Sequence, residues 1–299
     1  LHAGRVLPEG WLAWMLRRTI GVRYSVYVHG EDTRSALQSR ELTWMANRVL
    51  RGAERVIANS NNTQRTLFEE WVLPRNLVRV LHPGVDTLRF VPKPRDEKAR
   101  ESLGWRDRLV ILTVGRLQKR KGHDRMIEAI ALLKDRYPNI LYAIVGGGEE
   151  RAALEALVER LGLHEQIQFL NEPTDHELIQ CYQQCDVFAL PNREVDGDFE
   201  GFGMVLLEAQ ACEKPVVAGD SGGTAETMRI EETGLIVDCT QPEPISIALD
   251  KLLGDPDRRS KMGSAGRQWV EAHFSFDALS DSAWSLFTRK DSTGPSREM

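Results

Sequence analysis

Short apolar runs alternate with helical patterns through the last two thirds of the chain. The apolar runs have the length and composition of buried strands, and they are Leu109–Val114, Leu141–Val145, Gln166–Leu170, Val187–Leu190, Pro215–Ala218 and Leu235–Val237. Between them apolar residues recur every three or four positions, which predicts helices at Asp124–Lys134, Arg151–Leu161, Asp175–Cys185, Phe202–Cys212 and Thr224–Met228. Strands that alternate with helices predict an α/β fold with a doubly wound parallel sheet.

The end of the chain has helical patterns without strands. Three helices are predicted near Pro244–Leu253, Pro256–His273 and Phe276–Phe287. The tail Lys290–Met299 is polar, and we predict that it is disordered.

The first ninety residues show a shorter form of the same alternation. Strands are predicted at Tyr24–Val28, Arg55–Asn59 and Val78–Leu81. A helix is predicted over Ser35–Arg51, and Ser60 and Thr63 are candidate caps for the helix that follows the second strand. A cluster of prolines and charges up to Arg95 then predicts a linker. We therefore expect a partial first domain over residues 1–92, a second domain over residues 93–275 and a terminal segment over residues 276–299.

Residues Glu9–Arg18 have the pattern of an amphipathic helix. Its apolar face is predicted to be formed by Trp11, Leu12, Met15 and Leu16. Two interpretations stay open. We favour a helix packed on a sheet; a helix at a membrane surface is the alternative, since Trp14 and two arginines would suit that position.

Composition narrows the class of protein. The chain has 299 residues, which suggests about two domains, and its net charge of −5 argues against a nucleic-acid-binding field. No transmembrane run or secretory leader is visible. The four cysteines, Cys181, Cys185, Cys212 and Cys239, are interpreted as buried thiols rather than metal ligands. We expect a cytoplasmic protein. The sequence starts at Leu1 rather than Met, so a fragment is one interpretation.

Glycines and charges collect after the predicted strands of the second half. Gly115-Arg116-Leu-Gln-Lys-Arg-Lys121-Gly follows the first of these strands, and Gly146-Gly-Gly148 follows the second. In open α/β sheets, ligands lie beyond the carboxyl ends of the strands. Each turn alone is explained equally well by tight local geometry. Their recurrence at one sheet edge predicts a site for an anion such as a diphosphate.

The stretch from Asn192 to Glu208 is the most informative. An acidic loop carries Glu200 and runs into an apolar helix that carries Glu208. Gly201 and Gly203 allow close approach of a ligand to the backbone and leave amides free at the helix start. The functional interpretation is a site for a phosphorylated, polyhydroxylated ligand. The competing interpretation is a capped, buried helix with two solvated glutamates.

Taken together, these motifs resemble a known family. Glu200-x7-Glu208 with Gly-Phe-Gly inside it is similar to the E-x7-E motif of family 4 of the retaining, nucleotide-sugar-dependent glycosyltransferases of the GT-B fold. Further motifs occur in that family's order, namely His29-Gly30, Val56-Ile-Ala-Asn-Ser60, His82-Pro-Gly-Val-Asp86, Val114-Gly-Arg-Leu…Lys121-Gly, Val145-Gly-Gly-Gly, Leu190-Pro and Ser221-Gly-Gly…Glu226. The resemblance covers nearly the whole chain.

The resemblance implies two Rossmann-like domains that face a cleft, and it implies roles for individual residues. Arg116 and Lys121 would bind the donor diphosphate, and Glu208 would accept hydrogen bonds from the ribose hydroxyls. Glu200 would hold the donor hexose, with His29 reaching across from the first domain. The remaining donor-binding positions would be Gly115, Gly146, Gly148, Gly201, Phe202, Gly203, Met204 and Val205.

The implied activity is transfer of a hexose from a nucleotide-sugar with retention of configuration, without a cofactor or metal. The acceptor would be lipid-linked, a polysaccharide or a small molecule, with possible membrane contact through the first domain at the inner face. One departure is that only three strands precede the linker, so the opening units of the first domain are missing by analogy. The alternative hypothesis is therefore a donor-binding subunit or an inactive fragment of a split enzyme.

Asp196-Gly-Asp198 has the form of the D-x-D motif, which holds a divalent metal in glycosyltransferases of another fold. Negative charge before a helix is favoured without any metal, and the cations of the basic loop would already neutralise a diphosphate. We therefore favour a metal-independent site.

Overall fold

The structure is a computed structural model that describes residues 1–288. It contains two parallel sheets. The first sheet has the strand order β1-β2-β3-β4. Its strands are β1 (His2–Ala3), β2 (Ser25–Val28), β3 (Arg55–Ala58) and β4 (Val78–Val80), with helices α1 (Glu9–Ile20), α2 (Glu31–Ala36), α3 (Arg40–Gly52) and α4 (Asn61–Glu69) between them.

The second sheet has the order β10-β9-β8-β5-β6-β7. Its strands are β5 (Leu109–Val114), β6 (Ile140–Val145), β7 (Ile167–Leu170), β8 (Val187–Leu190), β9 (Val216–Gly219) and β10 (Gly234–Val237). The helices are α5 (Glu97–Ser102), α6 (His123–Leu133), α7 (Arg151–Leu161), α8 (Asp175–Gln184), α9 (Met204–Ala211), α10 (Pro242–Leu253), α11 (Pro256–His273) and α12 (Phe276–Thr288). Two short 3₁₀ turns lie at Lys119–Lys121 and Thr224–Thr227. The predicted parallel α/β architecture is confirmed.

Successive side chains along each strand lie on opposite faces of the second sheet, so the core of the second domain consists of two clusters. On β5, Ile111 packs in a cluster with side chains from α6, α7 and α10. Its neighbours Val110 and Leu112 pack in another cluster with side chains from α8, α9 and α11. Both clusters are almost fully excluded from water because helices cover both faces of the sheet. The four cysteines are buried free thiols, as predicted.

Most predicted elements agree with the structure within two residues, and the exceptions have local causes. The first sheet has four strands within the described residues rather than three, because β1 is only two residues long and has no apolar periodicity. The single helix predicted over Ser35–Arg51 is two helices, and Ser39 caps the second by accepting a hydrogen bond from the Leu42 amide. Thr224–Met228 is a 3₁₀ turn rather than an α-helix.

Two further predictions need correction. The helix predicted from Phe202 begins at Met204, because Gly203 has φ +90° and ends the preceding extended loop. Helix α1 does pack on the sheet, but through Gly10 and Ala13, whereas Leu12 and Met15 of the predicted apolar face are exposed. A side chain at Gly10 would collide with Val49, so close approach of α1 and α3 selects the buried face.

Other expectations have mixed outcomes. Of the two predicted cap residues, Ser60 caps α4 by accepting from the Thr63 amide, whereas Thr63 itself lies inside the helix. Among residues 1–288 no helix is long and apolar enough to cross a bilayer. The predicted disorder of Lys290–Met299 lies outside the described residues, and the domain boundaries stay a prediction.

Candidate active site

The strand order of the second sheet reverses between β5 and β8. Loops that follow two such strands diverge to opposite faces and leave a crevice at the carboxyl edge of the sheet. Here the loops come together at Gly122, where a Cβ would lie 1.8 Å from the Pro191 carbonyl oxygen. Two further contacts join them: the Arg193 amide donates to the Arg120 carbonyl, and the Arg193 guanidinium forms two 2.8 Å bonds to Asp124. The basic loop after β5 (Gly115–Gly122) and the acidic loop after β8, which carries Glu200, are thereby held side by side.

A buried ionic cluster lies where these loops meet. Glu200 Oε2 is 2.5 Å from Lys121 Nζ and 2.8 Å from Arg120 Nη1. All three side chains are largely buried. Burial alone would raise the pKa of Glu200, but the charges of Lys121 and Arg120 outweigh it, and the net pKa is lowered. The glutamate is therefore ionised at neutral pH and is fixed in place by two cations.

Arg120 is a member of this cluster that sequence reasoning missed. Besides Glu200, its guanidinium contacts Asp198 at 3.1 Å and Glu31 at 4.0 Å. The basic loop contains Lys119, Arg120 and Lys121, and the sequence does not tell which of them point inward. The 3₁₀ turn decides this, because it leaves Lys119 exposed and buries the two residues that follow.

Arg116 lies at the mouth of the crevice. It forms a 2.9 Å ion pair with Glu31 at the start of α2, 85 positions earlier in the chain. Both side chains are more than half exposed. A water-accessible pair of this kind is weak, so its arginine is available to an anionic ligand.

Glycines bring the neighbouring loops into close contact. Gly146 has φ +135°, and a Cβ there would lie 2.1 Å from the Gly115 carbonyl oxygen. A Cβ at Gly148 would lie 2.5 Å from the Leu117 carbonyl oxygen. Close packing of the loops alone therefore explains why glycine occupies these positions. Binding of a ligand by these glycines stays a prediction.

The loop that carries Glu200 also contacts the first sheet. A Cβ at Gly201 would lie 2.2 Å from the His29 carbonyl oxygen. The Phe202 side chain is buried and its ring centroid lies 5.4 Å from that of His82. Met204 and Val205 form the first turn of α9, where helix amides have no intrahelical acceptor. The loop thus contacts both halves of the molecule and leads into the free amides of the first turn of α9.

His29 faces an open cleft between the two sheets. The cleft has a volume of about 520 Å³, and its lining includes Arg5, His29, Glu31 and Arg116. The imidazole Nε2 of His29 is 2.9 Å from the Gly4 carbonyl oxygen, which orients the ring. Arg116 of the second half also lines this cleft, and an approach of the His29 side chain to a donor hexose stays a prediction.

Glu208 is a partly buried carboxylate on α9. Its Oε2 accepts a 2.5 Å hydrogen bond from the Tyr182 hydroxyl. Burial raises the pKa of Glu208, and the Tyr182 bond and the charge of Arg89 offset only part of that effect. Glu208 and Glu200 therefore occupy distinct environments, one apolar and one cationic.

A buried polar chain supports the Arg116 loop from behind. The Tyr142 hydroxyl lies 3.0 Å from Thr113 Oγ1 and 2.9 Å from His123 Nδ1. Nε2 of His123 lies 3.4 Å from the Arg116 carbonyl oxygen. Burial lowers the pKa of His123 to about 4, so the ring is neutral at physiological pH. The helix predicted from the sequence begins one residue later, at Asp124, and the sequence analysis assigns His123 no role.

The D-x-D-like segment is engaged by arginines. Asp198 pairs with Arg120, and the backbone closes a turn between Val195 and Asp198. A Cβ at Gly197 would collide with the Arg34 guanidinium. These contacts supply counter-charges for the acidic loop.

Comparison with known proteins agrees with this architecture. The sequence pattern of the family Glycosyl transferases group 1 matches residues 95–269, and that of Glycosyltransferase Family 4 matches residues 1–89. The chain belongs to the group 1 glycosyltransferases, and its two parallel sheets are those of the GT-B fold.

Individual relatives refine the comparison. A GDP-mannose-dependent alpha-(1-6)-phosphatidylinositol monomannoside mannosyltransferase of Mycolicibacterium smegmatis is 38% identical over 89% of this chain and 70% of the relative. A D-inositol 3-phosphate glycosyltransferase of Corynebacterium jeikeium is 32% identical over 93% of this chain and 70% of that protein. The structure of sucrose-phosphate synthase from Thermosynechococcus elongatus superposes with a TM-score of 0.80 at 27% identity, over 96% of this chain and 72% of that one.

Proposed function

We propose that this protein transfers a hexose from a nucleotide-diphosphate sugar to an acceptor with retention of the anomeric configuration. The observation that carries the proposal is the cluster of Arg120, Lys121 and Glu200 at the sheet edge. Glu200 is buried between the two cations, whereas Asp198, the second carboxylate on Arg120, is 45% exposed and can be replaced by an anion near the first turn of α9. That combination suits an anionic diphosphate next to a hydroxylated sugar.

The cations act on the departing diphosphate. Negative charge accumulates on it as the glycosidic bond to the sugar breaks, so fixed positive charges stabilise the transition state more than the ground state. Lys121 and Arg116 carry this role in our proposal. Arg120 supports it by sharing Glu200, which leaves Lys121 only partly neutralised.

The carboxylates orient the donor. Glu200, with the amides around Phe202 and Gly203, binds the hexose hydroxyls, and Glu208 binds the ribose. His29 approaches the hexose from the opposite side of the cleft. We propose a same-face substitution because we assign no nucleophile in the second half of the chain for a double displacement. Such a substitution delivers the acceptor hydroxyl to the face that the diphosphate leaves.

For the donor and the acceptor we extend the names of the relatives. We propose GDP-mannose as donor and an acceptor that carries inositol phosphate, since both relatives act on inositol compounds by name. The cleft supports an amphiphilic acceptor. Arg5 supplies a cation, and Leu7 and Leu42 supply an apolar wall. The exposed Leu12 and Met15 of α1 would allow contact with the membrane that holds such a lipid.

The test combines binding and turnover. Calorimetric titration with GDP-mannose and UDP-glucose identifies the donor. Incubation with phosphatidylinositol monomannoside or inositol 3-phosphate, followed by mass spectrometry, identifies the acceptor, and NMR of the product gives the anomeric configuration. Binding without transfer or donor hydrolysis would favour the donor-binding subunit instead. An inverted product would refute the mechanism.

The same assay tests for a metal. We expect activity to persist in excess EDTA. Activity that disappears with chelator, returns with Mg²⁺ or Mn²⁺ and is lost in Asp196→Ala or Asp198→Ala would overturn the metal-independent mechanism.

A further inference from the structure

Glu226 joins the two halves of the molecule with a single carboxylate. Its Oε2 accepts hydrogen bonds from the Asn61 amide at 2.8 Å, from Asn61 Nδ2 at 2.7 Å and from His82 Nε2 at 2.9 Å. Its Oε1 accepts from the Asn62 amide at 3.0 Å. All three donor residues lie in or just after the first sheet, whereas Glu226 follows β9 of the second.

These contacts complete the cap of α4. Ser60 is the residue before the helix and satisfies only the Thr63 amide. The amides of Asn61 and Asn62 are the remaining donors of the first turn, and an anion is favoured there by the helix dipole. Burial raises the pKa of Glu226, but its hydrogen bonds with His82, Asn61 and Asn62 produce a net lowering. The other half of the molecule thus supplies a charged cap.

The turn that carries Glu226 also holds the backbone of the Glu200 loop. The Gly223 amide donates a 2.9 Å hydrogen bond to the Glu200 carbonyl oxygen. A Cβ at Gly223 would lie 2.4 Å from the Gly201 carbonyl oxygen and 3.0 Å from Ser60 Cβ. The turn that carries Glu226 therefore contacts the loop that carries Glu200 on one side and the start of α4 on the other.

We propose that Glu226 is a positioning residue that fastens helix α4 to the turn supporting Glu200 and thereby holds the loop that carries Glu200 in place beside the first sheet. The proposal adds a role to a residue outside the donor and acceptor sites. Its consequence for turnover rests on the proposed glycosyl transfer. The predicted change in amide exchange does not rest on it. Either prediction can therefore fail without the other.

The first experiment is amide hydrogen exchange on the full chain. Glu226→Gln keeps the size of the side chain but replaces one acceptor oxygen with a donor that faces backbone amides. We expect exchange to accelerate about tenfold in peptides that cover residues 61–69 and 199–203, the change expected for losing one charged hydrogen bond. The control is Glu232→Gln, which alters an exposed pair with Arg229 and should leave both peptides unchanged.

The second experiment measures GDP affinity and GDP-mannose turnover. GDP affinity should stay within about twofold, because Glu226 is proposed to contact no part of the nucleotide. The kcat/KM for GDP-mannose should fall about ten- to a hundredfold. Asn61→Ala should give a smaller loss, and its effect should not add to that of Glu226→Gln, as expected for residues in one network.

The outcomes are distinct. Unchanged exchange in both peptides would show that Glu226 does not fasten α4. Faster exchange at residues 61–69 but not 199–203 would reduce Glu226 to a helix cap and overturn its positioning role. Faster exchange in both with full turnover would also overturn it. If the wild-type chain transfers from neither GDP-mannose nor UDP-glucose, the proposed function fails, and exchange still decides whether Glu226 joins the loop to α4.

Discussion

Replacing Glu200 by glutamine tests the ionic cluster directly. The substitution leaves Lys121 and Arg120 buried without the carboxylate that lies 2.5 and 2.8 Å from them. Removing one partner of a buried pair costs about 3–5 kcal/mol, since the remaining charge is uncompensated. Arg120 retains Asp198 at 3.1 Å. We therefore expect a loss of about 3 kcal/mol in the free energy of unfolding at pH 7.5, at the lower end of that range.

The pH dependence gives this prediction a sign. The folded pKa of Glu200 is lowered, whereas an unfolded glutamate titrates near pH ~4.3. The stabilisation by Glu200 is therefore present above the unfolded pKa and is lost as the pH falls through the folded pKa. The stability difference between wild type and Glu200→Gln should be constant from pH 7.5 to about 5 and should shrink below ~4.3.

Urea unfolding followed by tryptophan fluorescence measures the difference. Sulfate can keep the native state populated at acidic pH. Glu231→Gln is the control, because its pair with Arg258 is exposed and should contribute less than about 1 kcal/mol. In a double-mutant cycle with Lys121→Met, the double variant should lose about 1–3 kcal/mol less stability than the sum of the two single losses. Equal stability of Glu200→Gln and wild type at pH 7.5, or strict additivity in the cycle, would refute the reasoning.

Three further predictions concern single residues. Glu208→Gln should weaken GDP binding by about 1.5–3 kcal/mol by calorimetry, whereas Tyr182→Phe should mainly lower the melting temperature; the reverse pattern would make Glu208 structural. Arg116→Ala should lower turnover roughly 10²-fold with a smaller change in GDP affinity, and full turnover would exclude it from catalysis. Wild type should lose stability as the pH falls from about 6.5 to 4, because only the unfolded state binds a proton at His123 in this range. In His123→Gln, urea titration should show a smaller loss over the same range. An unchanged dependence on pH would contradict a buried neutral ring.

The position of the site was predictable because it follows from strand order. Glycines and charges after successive strands must gather at one edge of a parallel sheet. The structure does bring Lys121 and Glu200 into contact from loops 79 positions apart. Glu208 was recognised from its spacing to Glu200, although its apolar surroundings beside Tyr182 are a property of the folded helix α9 and cannot be read from spacing.

The residues that were missed depend on the arrangement of one half of the molecule against the other. Glu226 was noted only as part of a family motif, because its partners Asn61, Asn62 and His82 lie far away in the chain. Glu31 has no role in the sequence analysis, because nothing in the sequence indicates that Arg116 is its partner. Hydrophobic periodicity reports which face of an element is buried and carries no information on contacts between polar side chains across a cleft.

Exposure separates the ion pairs that hold the site from those open to a ligand. Arg116 and Arg120 contact Glu31 and Asp198, whose side chains are 52% and 45% exposed. Glu200 is only 12% exposed and is bound by two cations. Exposed pairs contribute little because water and salt screen them, whereas a buried carboxylate without its partners is costly. Under the proposed function, an incoming diphosphate therefore replaces Glu31 and Asp198 on the arginines and leaves Glu200 in position for the sugar.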